Sequence, residues 1–217
     1  MSRELEKITV NRGADSSPLW HPDGKIIYTR SSKPDSYDNY AVRHLSEVDV
    51  KSGEQTWLTE DLDRNVFQPV VRGEETSVYF ILEDSGQQQL ARISSNSKDI
   101  LRLTDDPQVV SAFDVTSDGQ IVFVSTTSDK PQEVFHLADG TVRQLSHINT
   151  SHLAKLQLGD TRELRFKSHD GIWLHGFLTL PPNYQAQQRY PAILLIHGGP
   201  VSQYDHSFSF EAQFLAA

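Results

Sequence analysis

The sequence predicts two folds in series: four-stranded antiparallel blades of an incomplete β-propeller ring, then the N-terminal part of an α/β domain. Three observations predict this. A short strand closing on a hydroxyl residue recurs through the first two thirds of the chain. A hairpin pattern with turn chemistry follows each closure at similar phase. Late in the chain a non-alternating apolar run, Ala192 to Ile196, enters the loop His197-Gly198-Gly199-Pro200.

The recurring ending is LEKIT (5–9), EQTWLT (54–59), DILRLT (99–104) and TVRQLS (141–146), closing on Thr9, Thr59, Thr104 and Ser146 at intervals of 42 to 50 residues. After each of the first three comes a strand, a polar turn and an alternating strand: 17–30, 68–82 and 111–125. Asp23-Gly24 and Asp118-Gly119 are tight-hairpin dipeptides, and Gly73-Glu74-Glu75 fills the same slot. A third strand (RHLSEVDV, QQLARIS, EVFHLA) and a second polar turn (Ser52-Gly53, Ser97-Lys98, Asp139-Gly140) complete each repeat. Four antiparallel strands in about 40 to 50 residues match one propeller blade. An unrelated antiparallel meander is the alternative, and three matches in register favour the repeat.

Residues 1–147 thus hold about three blades plus one orphan closing strand, LEKIT. Closed rings take about four to eight blades, so these do not close one. The polar stretch 148–162 reads as a linker. From 163 to 217 a different pattern begins. Leu164 and Phe166 alternate with charges, His169-Asp170-Gly171 turns, and Ile172, Leu174, Gly176, Leu178 and Leu180 share a face. That is a hairpin, stopped by Pro181-Pro182. Ala192–Ile196 reads as a strand buried on both faces of a sheet, and SFSFEAQFLAA as a helix.

Hairpin, buried strand, glycine loop and helix open an α/β-hydrolase domain, where the loop after the third strand lends a backbone N–H to the oxyanion hole. Gly198 and Gly199 are therefore the candidate catalytic residues, as oxyanion-hole donors. Amides already aimed at a developing oxyanion stabilise it without reorganising, and losing one donor costs on the order of 10²–10³ in rate. Glycine suits the site because backbone can approach substrate closely and reach φ values other residues avoid. Pro200 stiffens the exit. An ordinary strand-to-helix turn is the plain alternative. The reading needs the Gly198–Gly199 amides free of packed protein and Ile196 in a central sheet.

Residues 168–217, SHDGIWLHGFLTLPPNY through RYPAILLIHGGPVSQYDHSFSFEAQFLAA, resemble the start of the catalytic domain in the prolyl oligopeptidase family of serine peptidases. The acylaminoacyl-peptidase-like branch is the most similar, and SPLWHPDGKIIY resembles the blades preceding that domain. The resemblance implies a propeller that screens out large substrates and a hydrolase that cleaves short or N-acylated peptides through a Ser-Asp-His triad. It also implies that Gly198 and Gly199 belong to the oxyanion loop. No Gly-x-Ser-x-Gly elbow occurs in the chain, and the serines closest to the loop, Ser202, Ser207 and Ser209, sit on the wrong side of it. The triad is expected beyond Ala217, the chain to be truncated at both ends, and the chain alone to be inactive.

Composition narrows the alternatives. The 217 residues are 37% hydrophobic and 23% charged, ordinary for a globular protein. A net charge of −9 with scattered Lys and Arg argues against nucleic acid. The apolar run is far short of the ~20 residues that span a bilayer. Without cysteine there are no disulfides or thiolate metal sites, and a cytoplasmic location fits. The nine histidines show no ligand spacing, so no metal or cofactor is expected. His197 reads as a loop-holding residue, His147 and His152 as surface residues, and Glu74-Glu75 as a solvated turn. Trp20, Trp57 and Trp173 read as core. The expected partner is a peptide substrate, and oligomerisation is open. The second functional reading is a propeller interaction module with a vestigial hydrolase-like tail, and the third is an esterase.

Overall fold

The three repeats each form a four-stranded antiparallel unit in the computed structural model, which describes residues 5–11, 13–31, 41–72, 77–94, 97–199 and 201–217. The first unit is β1 (Asp15–Trp20), β2 (Lys25–Ser31), β3 (Arg43–Asp49) and β4 (Gln55–Trp57), paired in that order. The second is β5 (Val66–Arg72), β6 (Ser77–Asp84), β7 (Gln87–Ile93) and β8 (Ile100–Arg102). The third is β9 (Val109–Val115), β10 (Ile121–Thr127), β11 (Lys130–Ala138) and β12 (Thr141–Gln144). A single parallel contact, Gln88 with Val109, joins the second unit to the third. Both Asp-Gly hairpins form as expected, with Gly24 at φ 91° and Gly119 at φ 85°, where a side chain is disfavoured. Gly73-Glu74-Glu75 and Pro200 lie outside the described residues.

The recurring hydroxyls have one structural task. Thr59 Oγ1 accepts from the Leu45 amide at 2.9 Å, Thr104 Oγ1 from Leu90 at 3.0 Å, and Ser146 Oγ from Val134 at 2.8 Å. Each fourth strand stops where the chain must leave for the next element. The hydroxyl then replaces the ladder carbonyl that the third strand would lose. The residue before each donating amide, His44, Gln89 or Glu133, is a buried polar side chain that secures the departing chain. His44 Nδ1 donates to the Thr59 carbonyl at 2.7 Å, and Gln89 Nε2 donates to the Asp106 carbonyl at 2.6 Å. Glu133 accepts from the Ser146 hydroxyl and from the Asn149 amide at 2.9 Å. The Ser146 hydroxyl above all, then the Asn149 amide, hold its carboxyl at a pKa of about 2.

Packing between units follows from strand periodicity. On β6, Val78, Phe80 and Leu82 face the core shared with Ile27 and Leu45 of the first unit. Tyr79 and Ile81 face the core shared with Val110, Ile121 and Phe123 of the third. Successive side chains point to opposite faces, so a strand between two cores must be apolar throughout, and one at the end of a stack alternates. The sequence SVYFIL is buried at every position, whereas β10 leaves Val122 exposed.

Beyond the third unit, a one-turn helix α1 (Thr150–Leu153) interrupts the stretch read as linker. The expected hairpin follows as β13 (Thr161–Lys167) and β14 (Trp173–Thr179), closed at Gly171 and ending before the prolines. The expected C-terminal helix is α2 (Phe210–Ala216), with Ser209 Oγ accepting from the Ala212 amide as N-cap.

Three expectations are corrected. Residues 5–9 form no strand, and Leu5 is fully exposed. A closing strand needs the free edge of a third strand, and each third strand here already has its own fourth. Ala192–Ile196 is likewise unpaired, so Ile196 lies outside any sheet, and Ile193, Leu194 and Ile196 are 63%, 82% and 79% exposed. The described residues offer this run neither a neighbouring strand nor helices on two faces, without which an all-apolar segment cannot act as a central strand. Trp20 and Trp173 sit on strands but are exposed, and the Trp173 ring meets only the Lys167 ammonium, at 5.2 Å, among the ring contacts of the described residues. Only Trp57 packs, beneath the Arg30 guanidinium at 4.3 Å and edge-on to His44.

Candidate functional site

The glycine loop is open. Gly198 and Gly199 are both exposed, neither has positive φ, and a Cβ built on Gly198 meets no atom within 4 Å. A Cβ on Gly199 would lie 3.5 Å from the Val201 amide nitrogen. The left-handed φ that would make glycine obligatory is not used at either position. His197 Nδ1 donates to the Gly198 carbonyl at 2.7 Å, and its ring lies edge-on to Tyr204. That is the geometry of a residue holding the loop. His147 and His152 are exposed as expected.

The nearby serines have local partners. Ser207 bonds Asp205 through its amide at 3.0 Å and its hydroxyl at 2.5 Å, and Ser209 caps α2.

The segment leaving the loop is fastened to the β units. The His206 amide donates to the Gly86 carbonyl, in the β6–β7 turn, at 2.9 Å. The Phe208 amide donates to Thr126 Oγ1, on β10, at 3.0 Å. Gly86 has φ 76°, and a Cβ there would lie 3.1 Å from Phe177 Cζ and 3.2 Å from His175 Cε1. The turn thus needs glycine both for its conformation and for the approach of β14. Around this contact His175 Nε2 lies 3.1 Å from Glu163 Oε1, and His206 Nε2 lies 3.7 Å from Glu163 Oε2. The buried His206 Nε2 has no hydrogen bond, and burial pushes the pKa of His206 down despite Glu163. Burial acts to raise the pKa of Glu163, but the Arg165 hydrogen bond and the His175 charge hold it below the usual value. Among the described residues no three His, Cys, Asp or Glu form a group able to hold a metal.

Two cavities open near this end of the units. One of about 280 Å³ is bounded by Val42, Asp63, Arg64, Asn65, Glu83 and, from the segment after the glycine loop, Gln203. Beside it Asp84 bridges Arg64 at 2.6 Å and Arg102 at 2.5 Å. Burial opposes its charge, yet hydrogen bonds from Arg102 and Arg64 bring its pKa to about 2. The other, of about 310 Å³, lies between the first and second units. The anchoring residues Gly86, Thr126, Gly159, His206 and Gln213 carry no motif that sequence reasoning could single out. Only Ser85-Gly86, a turn dipeptide between two apolar strands, holds a local signal.

No family model matches the chain. Individual proteins do. It is 26% identical over 197 residues to the uncharacterized peptidase YuxL of Bacillus subtilis, covering 83% of this chain and 30% of that protein. It is 31% identical over 202 residues to dipeptidyl-peptidase 5 of Porphyromonas endodontalis, covering 91% of this chain and 29% of that one. The structure superposes on acylaminoacyl peptidase of Pyrococcus horikoshii with a TM-score of 0.74 at 27% identity, over 89% of this chain and 29% of that one. An acylaminoacyl peptidase in complex with Z-Gly-Gly-Phe-chloromethyl ketone gives a TM-score of 0.75. The chain belongs to the prolyl oligopeptidase family of peptidases. It spans about 30% of the length of the curated relatives it matches. Membership rests on these likenesses and not on a strand at 192–196, which is unpaired here.

Proposed function

We propose that the chain supplies propeller blades and the oxyanion loop of a serine peptidase that hydrolyses short or N-acylated peptides. Three four-stranded units are the blades, residues 163–217 begin the α/β-hydrolase domain, and Gly198 and Gly199 present amides to the tetrahedral oxyanion. The nucleophile, base and acid are carried outside these 217 residues, since no Gly-x-Ser-x-Gly is present. The observation that carries this reading is the likeness to acylaminoacyl peptidases over 89% of the chain, together with an exposed glycine loop. Negative charge on the substrate oxygen is met by amides that need not reorganise.

A fluorophosphonate probe tests it. It leaves the 217-residue chain unlabelled and labels a longer chain carrying a Gly-x-Ser-x-Gly elbow. In that longer chain Gly199→Pro, which deletes one amide donor, lowers kcat on the order of 10²-fold. Labelling of the short chain, or an unchanged kcat, overturns the proposal. The unpaired run 192–196 is the one observation favouring an interaction module with a vestigial tail, and an unlabelled longer chain would select that reading.

A further inference from the structure

The cavity between the first and second units has a chemical character the oxyanion loop does not explain. It measures about 310 Å³, at the small end for ligand sites, and is bounded by Ser17, Thr29, Arg43, Phe67, Gln68 and Gln88. In a chain of net charge −9, the single ionised group in this lining is a cation. The Arg43 guanidinium lies over the Phe67 ring at 5.1 Å, and among the described residues no carboxylate pairs with it. Stacking on a ring orients the planar fork while leaving its N–H edge free for a carboxylate. The remaining lining supplies hydroxyls, amides and the apolar Ile81, and no competing acid.

Two irregularities shape the cavity. The registers of β1 against β2 and of β5 against β6 shift between Ser16 and Leu19 and between Phe67 and Val70. Ser17 at φ 53° and Gln68 at φ 49° are the residues so displaced, and bulges of this kind re-aim side chains. Gln68 is fixed in turn, its Nε2 donating to the Ser111 carbonyl at 3.1 Å.

The cavity also neighbours the second one. Consecutive residues Val42 and Arg43 line the two cavities, and the Arg43 amide donates to Asn65 Oδ1, at 3.0 Å, in the wall of the second. Gln203, on the segment leaving the glycine loop, lines that second cavity. The two cavities thus meet at Val42–Arg43, and the segment leaving the loop reaches the second.

We propose that this inter-unit cavity binds a carboxylate carried by a peptide, with Arg43 as the residue that selects for it. This rests on the peptidase reading for its role in substrate choice, though not for the binding itself. The carboxylate comes from the C-terminus or from an acidic side chain, and both present the same two oxygens to the guanidinium.

The experiment is a calorimetric titration of the 217-residue chain with tetra-alanine, tetra-alanine amide, and the amide bearing glutamate at its third position. The free acid binds about tenfold more tightly than the amide, as a charge-assisted bidentate pair gives. Arg43→Gln abolishes the preference, Arg43→Lys retains part of it, and Phe67→Leu weakens it. A glutamate amide that matches the free acid shows that either carboxylate is accepted, one that alone out-binds the plain amide identifies side-chain recognition, and one that matches the plain amide identifies the C-terminus. Equal affinity for all three peptides, no binding of any at millimolar concentration, or an Arg43→Gln chain of unchanged circular dichroism that keeps the preference would overturn the assignment. A longer chain that hydrolyses acid and amide peptides equally well defeats this inference alone. One with no peptidase activity but intact carboxylate preference defeats the peptidase reading alone.

Discussion

Gln213 holds Gly159 by both backbone groups: Oε1 accepts from the Gly159 amide at 2.7 Å, and Nε2 donates to its carbonyl at 3.1 Å. One side chain of α2 so replaces a strand partner for a residue 54 positions earlier. Gly159 admits no substitute, since a Cβ there would lie 2.2 Å from the Leu180 carbonyl oxygen. Gln213→Leu leaves two buried backbone groups unpaired, at about 1–3 kcal/mol each. Hydrogen exchange over 204–216 is expected to accelerate at least tenfold, with the exchange of β6 and β7 unchanged. Gly159→Ala should do the same. Undisturbed protection of α2 in either variant would show that this contact does not anchor the helix.

The hydroxyl that closes each unit predicts a substitution pattern. Thr104 accepts from the Leu90 amide and donates to Gln89 Oε1 at 2.6 Å, all buried. Thr104→Val keeps shape and loses both bonds, and should cost about 1–3 kcal/mol in urea unfolding. Thr104→Ser should recover most of it. Equal losses from Val and Ser would mean that the methyl group matters and the hydroxyl does not.

Attachment of the tail should depend on pH. His206 sits among Glu163 of β13, His175 of β14 and its neighbour Asp205, and its pKa lies below the ordinary 6.5 because it is buried. A histidine whose folded pKa is depressed binds fewer protons folded than unfolded. Its contribution is present above the unfolded pKa and is lost as pH falls through the folded one. Exchange of 204–210, measured at matched intrinsic rates, should rise on going from pH 7.5 to 5.5. His206→Gln should flatten that dependence, and an equally steep profile in the variant would assign it to other groups.

The run 192–196 predicts self-association. Ile193, Leu194 and Ile196 form an exposed, uncharged apolar segment of the kind that seeks a strand partner. Light scattering should find the purified chain oligomeric or aggregating, and 163–217 should exchange faster than the β units. Leu194→Lys with Ile196→Lys should reduce association without lowering the unfolding midpoint. A monomeric parent chain, or variants that associate equally, would exonerate this segment.

The features legible in the sequence are local or periodic. The Asp-Gly hairpins, the spacing of Thr59, Thr104 and Ser146, and the C-terminal helix depend on residues close in sequence, so pattern suffices. The exposed Trp20 and Trp173, the missing strand at 5–9 and the unpaired 192–196 depart from their patterns for a common reason. Each pattern states that a segment suits a buried face or a free edge, and none states that one is available. The anchors are illegible for the opposite reason. Gly86 and His206, or Gly159 and Gln213, carry no shared motif because only the folded chain brings them together.

By itself the sequence determined the repeated four-stranded unit, the turn positions and a glycine loop with no nucleophile elbow, because alternation, turn dipeptides and spacing act over a few residues. Tertiary structure alone decided which strands face two cores and which face none. It also fastened the segment after the loop to the β6–β7 turn and left Arg43 over Phe67 with no carboxylate partner among the described residues. Burial and pairing belong to two surfaces at once, and only the folded chain holds both.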